Sequence, residues 1–187
     1  MRSIILSLLL TLSLYGASEG PLSPSDSVGS GCGAPTLSNA ADGLDADCGP
    51  TGEIHEVGTF GFAIPVGATI NGVLVEFEAI CRLCEGGEEN DINLTGVGTC
   101  TGKAYNEGGS PEPPNSTTYD SVYESLGGAS DAWSCTSLTE TNVNATTFGV
   151  IATAGTGVDS AEVQYDHIRV TVFYTEAGSA KRKAMVL

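Results

Sequence analysis

Across residues 69–80 the chain alternates with a period of two: Val73, Val75, Phe77 and Ala79 fall on one face, Glu76 and Glu78 on the other. Successive side chains of a strand point to opposite faces, so the pattern predicts a strand with one buried and one solvated face. A strand of that kind needs a second layer over its apolar side. A longer run at 161–175 changes phase on the way, with Val163 and Tyr165 in one parity and Ile168, Val170, Val172 and Tyr174 in the other. A one-residue shift predicts a β-bulge near Asp166 and His167. Shorter strands are expected at 53–64, where Val57, Phe60 and Phe62 lead to Pro65, and at 91–97, 121–126 and 148–154. Between them lie the turn Pro65-Val66-Gly67, an acidic segment at 85–90 and a Gly/Pro-rich loop at 108–115. No segment has a sustained helical period with a cap and a stop signal. The fold class read from these signals is all-β, an antiparallel β-sandwich or barrel.

At 187 residues there is room for one domain of ordinary size. Arg2, an apolar run over 4–14 and the small residues Gly16, Ala17 and Ser18 have the layout of a secretory signal peptide, with cleavage expected after Ser18 or Gly20. The apolar run is shorter than the roughly 20 residues that cross a bilayer. The chain is accordingly divided into a signal-like segment (1–18), an irregular Ser-, Gly-, Pro- and Asp-rich N-terminal arm (19–50), a sandwich domain (51–176) and a basic tail (177–187) carrying Lys181, Arg182 and Lys183. In the arm Val28 and Leu37 stand almost alone as large apolar residues. It is expected to lie on the sandwich, to pair with a neighbouring sheet edge or to remain without order.

Export gives the six cysteines an oxidising setting, and an even number favours disulfides. Six cysteines allow about fifteen pairings, and nearness in sequence favours Cys32–Cys48 and Cys81–Cys84, leaving Cys100–Cys135. A zinc site would need a second ligand pair after Cys81-Arg-Leu-Cys84, and no Cys/His pair of suitable spacing follows. Acidic residues number 23 against 7 basic ones, for a net charge of −16. Such a body repels phosphate backbones, so nucleic acid is not an expected partner. The acidity serves solubility or divalent-cation binding. Asp42, Asp45 and Asp47 offer oxygen ligands on flexible backbone, as does the run from Glu85 to Asp91. Calcium is the cation such ligands suit, although neither run matches the twelve-residue EF-hand loop.

Gly61-Phe62-Ala63-Ile64-Pro65-Val66-Gly67-Ala68 ahead of the alternating strand is followed much later by Gly127-Gly128-Ala129-Ser130-Asp131-Ala132-Trp133. Asn144-Ala145-Thr146-Thr147-Phe148-Gly149-Val150 comes next, and Asp166-His167-Ile168-Arg169-Val170-Thr171-Val172-Phe173-Tyr174-Thr175 closes the chain. This set, spread over 58–175, resembles the jelly-roll-type sandwich domains of bacteriophage structural proteins and bacterial secreted surface proteins. The resemblance implies an accessory structural or adhesive module with no catalytic residues. The chain departs from the pattern with Ser134-Cys135 after Trp133, where glycine is common, and with the Cys81/Cys84 pair, which suggest a disulfide-reinforced extracellular version.

Catalytic readings are weaker than structural ones throughout. His167 sits beside Asp166, but neighbours on a strand face opposite ways and form no direct dyad. No Gly-Xaa-Ser-Xaa-Gly elbow presents a nucleophile. Glu76 and Glu78 read as a solvated stripe. Trp133 reads either as a core anchor or as a sugar-stacking platform. Asn93, Asn115 and Asn144 each open an Asn-Xaa-Ser/Thr sequon, a candidate glycosylation site in an exported chain. The expected protein is a non-enzymatic structural or adhesive subunit of an extracellular, cell-surface or virion-surface assembly, a decoration, fibre or filament. Its expected partners are copies of itself or other surface proteins, with no membrane span after signal removal. The alternative is a secreted carbohydrate-binding module with a glycan as ligand.

Overall fold

A computed structural model describes residues 16–30, 32–44, 46–48, 53–82, 89–106, 123–153 and 162–177. Its strands are β1 (Ala17–Leu22), β2 (Asp26–Ser30), β3 (Cys32–Gly33), β4 (Ala46–Cys48), β5 (Ile54–Gly58), β6 (Thr69–Arg82), β7 (Glu89–Thr95), β8 (Lys103–Asn106), β9 (Glu124–Gly127), β10 (Gly149–Thr153) and β11 (Glu162–Thr175). Helical structure among the described residues is one 3₁₀ turn, Pro35–Ser38, and a single α-turn, α1 (Glu140–Val143), whose N-cap Thr139 accepts the Asn142 N–H.

The strands form two antiparallel sheets. In one, the order is β3-β4-β11-β6-β9 with β1 also on β11; in the other it is β2-β5-β10-β7-β8. With β2, β3 and β4 set aside, the remaining eight strands in chain order run 1-8-3-6 and 2-7-4-5. That is the strand order of a jelly roll. β6 and β11 pair over almost their full lengths, Val73, Val75 and Phe77 facing inward beside Ile168, Val170 and Val172. The register shift between Tyr165 and His167 makes Asp166 the extra residue of the expected bulge. Phe60, Phe62 and Phe148 pack together between the sheets with centroids 5.8–6.0 Å apart, and Phe77 meets Tyr165 edge-on at 6.4 Å.

Three expectations about the strands and the arm need correction. The strand predicted at 53–64 ends at Gly58, because Thr59 takes a left-handed conformation (φ 55°); beyond it Phe60, Phe62 and Ile64 still alternate into the core. The arm over 19–50 is not irregular. β2 lies along the outer edge of β5, while β4, Asn39 and β1 occupy successive stretches of one edge of β11 at 163–165, 167 and 170–174. Few apolar residues are needed for this, since pairing along an existing edge is a matter of backbone hydrogen bonds. The edge that the arm joins belongs to its own chain. The expected border between signal-like segment and arm, at Ser18, falls inside β1, and the Glu19 carboxylate accepts the Ala63 N–H. The third correction concerns Glu76 and Glu78, which are not a solvated stripe, as described below. The basic tail from Lys181 lies outside the described residues.

The turn Pro65-Val66-Gly67 is present, closed by the Ala68 N–H on the Pro65 carbonyl with Gly67 at φ 78°. The Gly-Gly-Xaa-Ser-Asp-Xaa-Trp loop continues β9 along β6: Val73 N–H donates to the Asp131 carbonyl, and Val73 O accepts both Gly128 N–H and Trp133 Nε1–H. A Cβ at Gly127 (φ 87°) would stand 2.1 Å from that same Val73 oxygen, so glycine is required there.

Candidate functional site

The outer side of the β6–β11 pair carries a group of titratable side chains. Antiparallel register sets Glu78 opposite His167 and Glu76 opposite Arg169. Arg169 grips Glu76 through both Nε (3.1 Å) and Nη2 (2.9 Å), and its guanidinium lies 3.6 Å from the ring centroid of Tyr123. Hydrogen bonding to Glu76 raises the Arg169 pKa further. His167 is held from both sides, with Nε2 2.9 Å from Ser23 Oγ and Nδ1 2.6 Å from Tyr123 Oη. Asp166, displaced by the bulge, turns its Oδ1 to the N–H groups of Asp42 and Gly43 and so fastens the arm to β11. Glu78, Asp166 and His167 are 9%, 5% and 7% exposed. Burial is the main cause of the upward shift of the Glu78 pKa, followed by the nearby Asp166 charge. Burial and then Arg169 push His167 down.

Ser23 beside His167 has the spacing of a nucleophile and base. The group at the other imidazole nitrogen is a phenol, whose pKa burial and Glu78 raise. A neutral phenol donates or accepts, so it does not hold the ring in the base tautomer as a carboxylate would. Ser23, Tyr123, His167, Glu76, Arg169 and Asp166 are each engaged with another part of the same chain. The arrangement can lock the arm onto the sheet. Sequence reasoning kept His167 structural but missed Ser23 and Tyr123, which come from distant segments. The signal within reach was the i, i+2 spacing of Glu76/Glu78 and of His167/Arg169 on two strands, which the structure pairs.

A second group lies between the sheets. Cys32 and Cys48 are cross-strand partners in β3 and β4 and form a disulfide, and β5 of the opposite sheet brings His55 to it. His55 is 1% exposed, stacks on Tyr165 at 5.6 Å, and burial lowers its pKa to about 4. Its Nε2 lies 2.7 Å from Ser38 Oγ, whose own proton goes to the Pro35 carbonyl.

The second disulfide, Cys100–Cys135, ties the segment after β7 to the Trp133 loop. The same two segments are bridged by Thr101 N–H to Trp133 O, Thr136 N–H to Thr99 O and Ser137 N–H to Val97 O. Two of the three expected pairings are thus present. Cys84 lies outside the described residues. Trp133 is 1% exposed, with Lys103 Nζ 5.0 Å above the ring and bonded to Asp131 at 2.7 Å. A ring so covered cannot stack a sugar, which corrects the platform reading in favour of the core anchor.

Asn144 is also committed: its Oδ1 accepts the Ile64 N–H and its Nδ2 donates to the Ile64 carbonyl, both at 2.9 Å. A glycan at that nitrogen would have to break the clasp, so Asn144 is corrected from acceptor to tether. Asn93 is half-buried in β7, and Asn115 lies outside the described residues. Of the calcium candidates, Asp42 and Asp47 are exposed, and Asp42 accepts the N–H of Leu44. Asp45 and most of the 85–91 run lie outside the described residues. Among the described residues, the one group of three or more His, Cys, Asp or Glu close enough to share an ion is Cys32, Cys48 and His55. No described helix is long and apolar enough to cross a membrane. No protein-family model and no curated protein matches the chain.

Proposed function

We propose that the chain is a non-enzymatic structural or adhesive subunit of an extracellular or virion-surface assembly. The observation that carries this reading is the closure of the outer-face network on itself. Ser23, Tyr123, His167, Glu76 and Arg169 spend their polar atoms on one another, and Asp166 spends its carboxylate on the arm. A site that turns over a substrate keeps such groups for the substrate. The jelly-roll order and the two disulfides suit a rigid exported module, and the acidic surface keeps it soluble. Binding then falls to loops and free edges. The carbohydrate-binding alternative is weakened by the burial of Trp133.

Sedimentation of the exported protein over a wide concentration range, together with fractionation of its source into particles and supernatant, tests the reading. Concentration-dependent association, or recovery on a particle or filament, is the expected result. A chain that stays monomeric throughout, is absent from every particle and binds a glycan array overturns it.

A further inference from the structure

We propose that Cys32, Cys48 and His55 form a latent site for a thiophilic d¹⁰ cation, occupied while the cysteines are thiols and emptied when they join as the disulfide. One donor atom from each of the three residues lies within 4.8 Å of the others, inside the sandwich. They come from three strands, β3 and β4 of one sheet and β5 of the other, so a shared ion would clamp the two layers as the disulfide clamps β3 to β4.

The hydrogen-bond chain fixes which imidazole nitrogen is available. Ser38 Oγ donates its proton to Pro35 O, so it must accept from His55, which places the ring hydrogen on Nε2. Nδ1 is left as a bare lone pair, buried and without a hydrogen-bond partner. An orphan acceptor in a core is unfavourable, and a free lone pair on a ring that offers a ligand atom within 4.8 Å of two sulfur atoms is what a metal ligand requires. Ser38 supplies the oxygen that metal-binding histidines bond through their other nitrogen. Two thiolates and a divalent ion sum to zero charge, which suits a dry site, and sulfur with imidazole selects zinc-group ions over calcium or magnesium.

The balance is simple. A divalent ion binding two thiols forms two metal–sulfur bonds and releases two protons to solvent, while His55 gives a lone pair and loses no proton. A small-molecule disulfide oxidant then takes two electrons from the thiolates, forms the Cys32–Cys48 bond, leaves as two thiolates and frees the ion. The two fates of the pair exclude each other.

The test uses the full exported chain carrying Cys81→Ser and Cys84→Ser, because a Cys-Xaa-Xaa-Cys pair would itself take up metal. A phosphine reduces the protein, and Cd²⁺ alone is titrated in. The expected result is a thiolate-to-cadmium absorption band saturating at one ion per chain, together with a rise in melting temperature. Oxidised glutathione should discharge the ion. Adding Cys32→Ser and Cys48→Ser should abolish the band although Cys100 and Cys135 remain. His55→Phe, which keeps a ring against Tyr165, and Ser38→Ala should each weaken binding by about 10–100-fold. Cadmium affinity unchanged in His55→Phe overturns the proposal. So does a reduced parent protein that takes up no ion, or one that unfolds and is not refolded by the ion.

Discussion

At the scale of single residues, His55 makes the most specific demand on conditions. Its folded-state pKa is about 4 against 6.5 in the unfolded chain. Between these values the unfolded chain binds the proton and the folded one does not, so stability is full above 6.5 and falls as the pH drops towards 4. The loss amounts to roughly 3 kcal/mol over the window. Glu78 works in the opposite sense, since its raised pKa favours the folded state as acidity increases. Comparison with His55→Phe isolates the histidine: urea midpoints of that variant should decline less between pH 6.5 and 4. Equal declines in both proteins would remove the assignment. Ser134 makes a different demand, being exposed and left-handed at φ 49° where glycine carries no Cβ penalty. Ser134→Gly should raise stability by about 0.5–1 kcal/mol after the extra freedom of the unfolded chain is counted. A chemical denaturation curve reads the change directly.

At the scale of elements, legibility followed apolar periodicity. β6 and β11 were readable because each carries a long run of inward residues, and the phase change in β11 located the bulge at Asp166. β2, β3 and β4 were not, because two to five residues with few large side chains have no period to detect. Their conformation comes from the edges of β5 and β11, which are remote in sequence. Asp166, His167 and Glu78 follow the same logic: the sequence placed them on strands, but only the folded arm, through Ser23 and the Asp42 and Gly43 N–H groups, closes over them. Both described disulfides were legible, since nearness in sequence picked out Cys32–Cys48 and, with the third pair set aside, Cys100–Cys135. The latter spans 35 residues, and closing such a loop is worth about 4 kcal/mol in the chain-entropy model. Cys100→Ser with Cys135→Ser should therefore lower the melting temperature by many degrees. The backbone bonds of Thr101, Thr136 and Ser137 should preserve the strand signature in circular dichroism. A melting temperature unchanged by the double substitution would falsify the structural role given to this bridge.

At the scale of the whole molecule, the arm decides whether the sandwich is a complete body. β1 is the first strand of the jelly roll and pairs with β11 from Ala17↔Tyr174 to Leu22↔Val170, and β4 covers Tyr165 to Val163 on the same edge. β2 covers all of β5. The arm also supplies both halves of the Cys32–Cys48 bridge, the hydroxyl that meets His55, and the hydroxyl that meets His167. Removing residues 19–50 would strip a flank from both sheets at once. It would leave His55 and Asp166 without their arm partners and His167 with Tyr123 alone, and a buried polar group without its partner costs about 1–3 kcal/mol. Losses at these three sites, about 3–9 kcal/mol together, are of the same size as the 5–15 kcal/mol that holds an ordinary domain together. The truncated chain should therefore lose cooperative melting and near-ultraviolet circular dichroism, rather than persist as an isolated sandwich. Single cuts separate the contributions. Asp166→Ala, which frees the Asp42–Gly43 attachment and removes the charge beside Glu78, should leave the fold intact and raise amide exchange at those two positions. If the chain lacking 19–50 melts cooperatively near the temperature of the full protein, the arm is an accessory to a self-sufficient core, and pairing with the sheet edge of a neighbouring subunit becomes its better explanation.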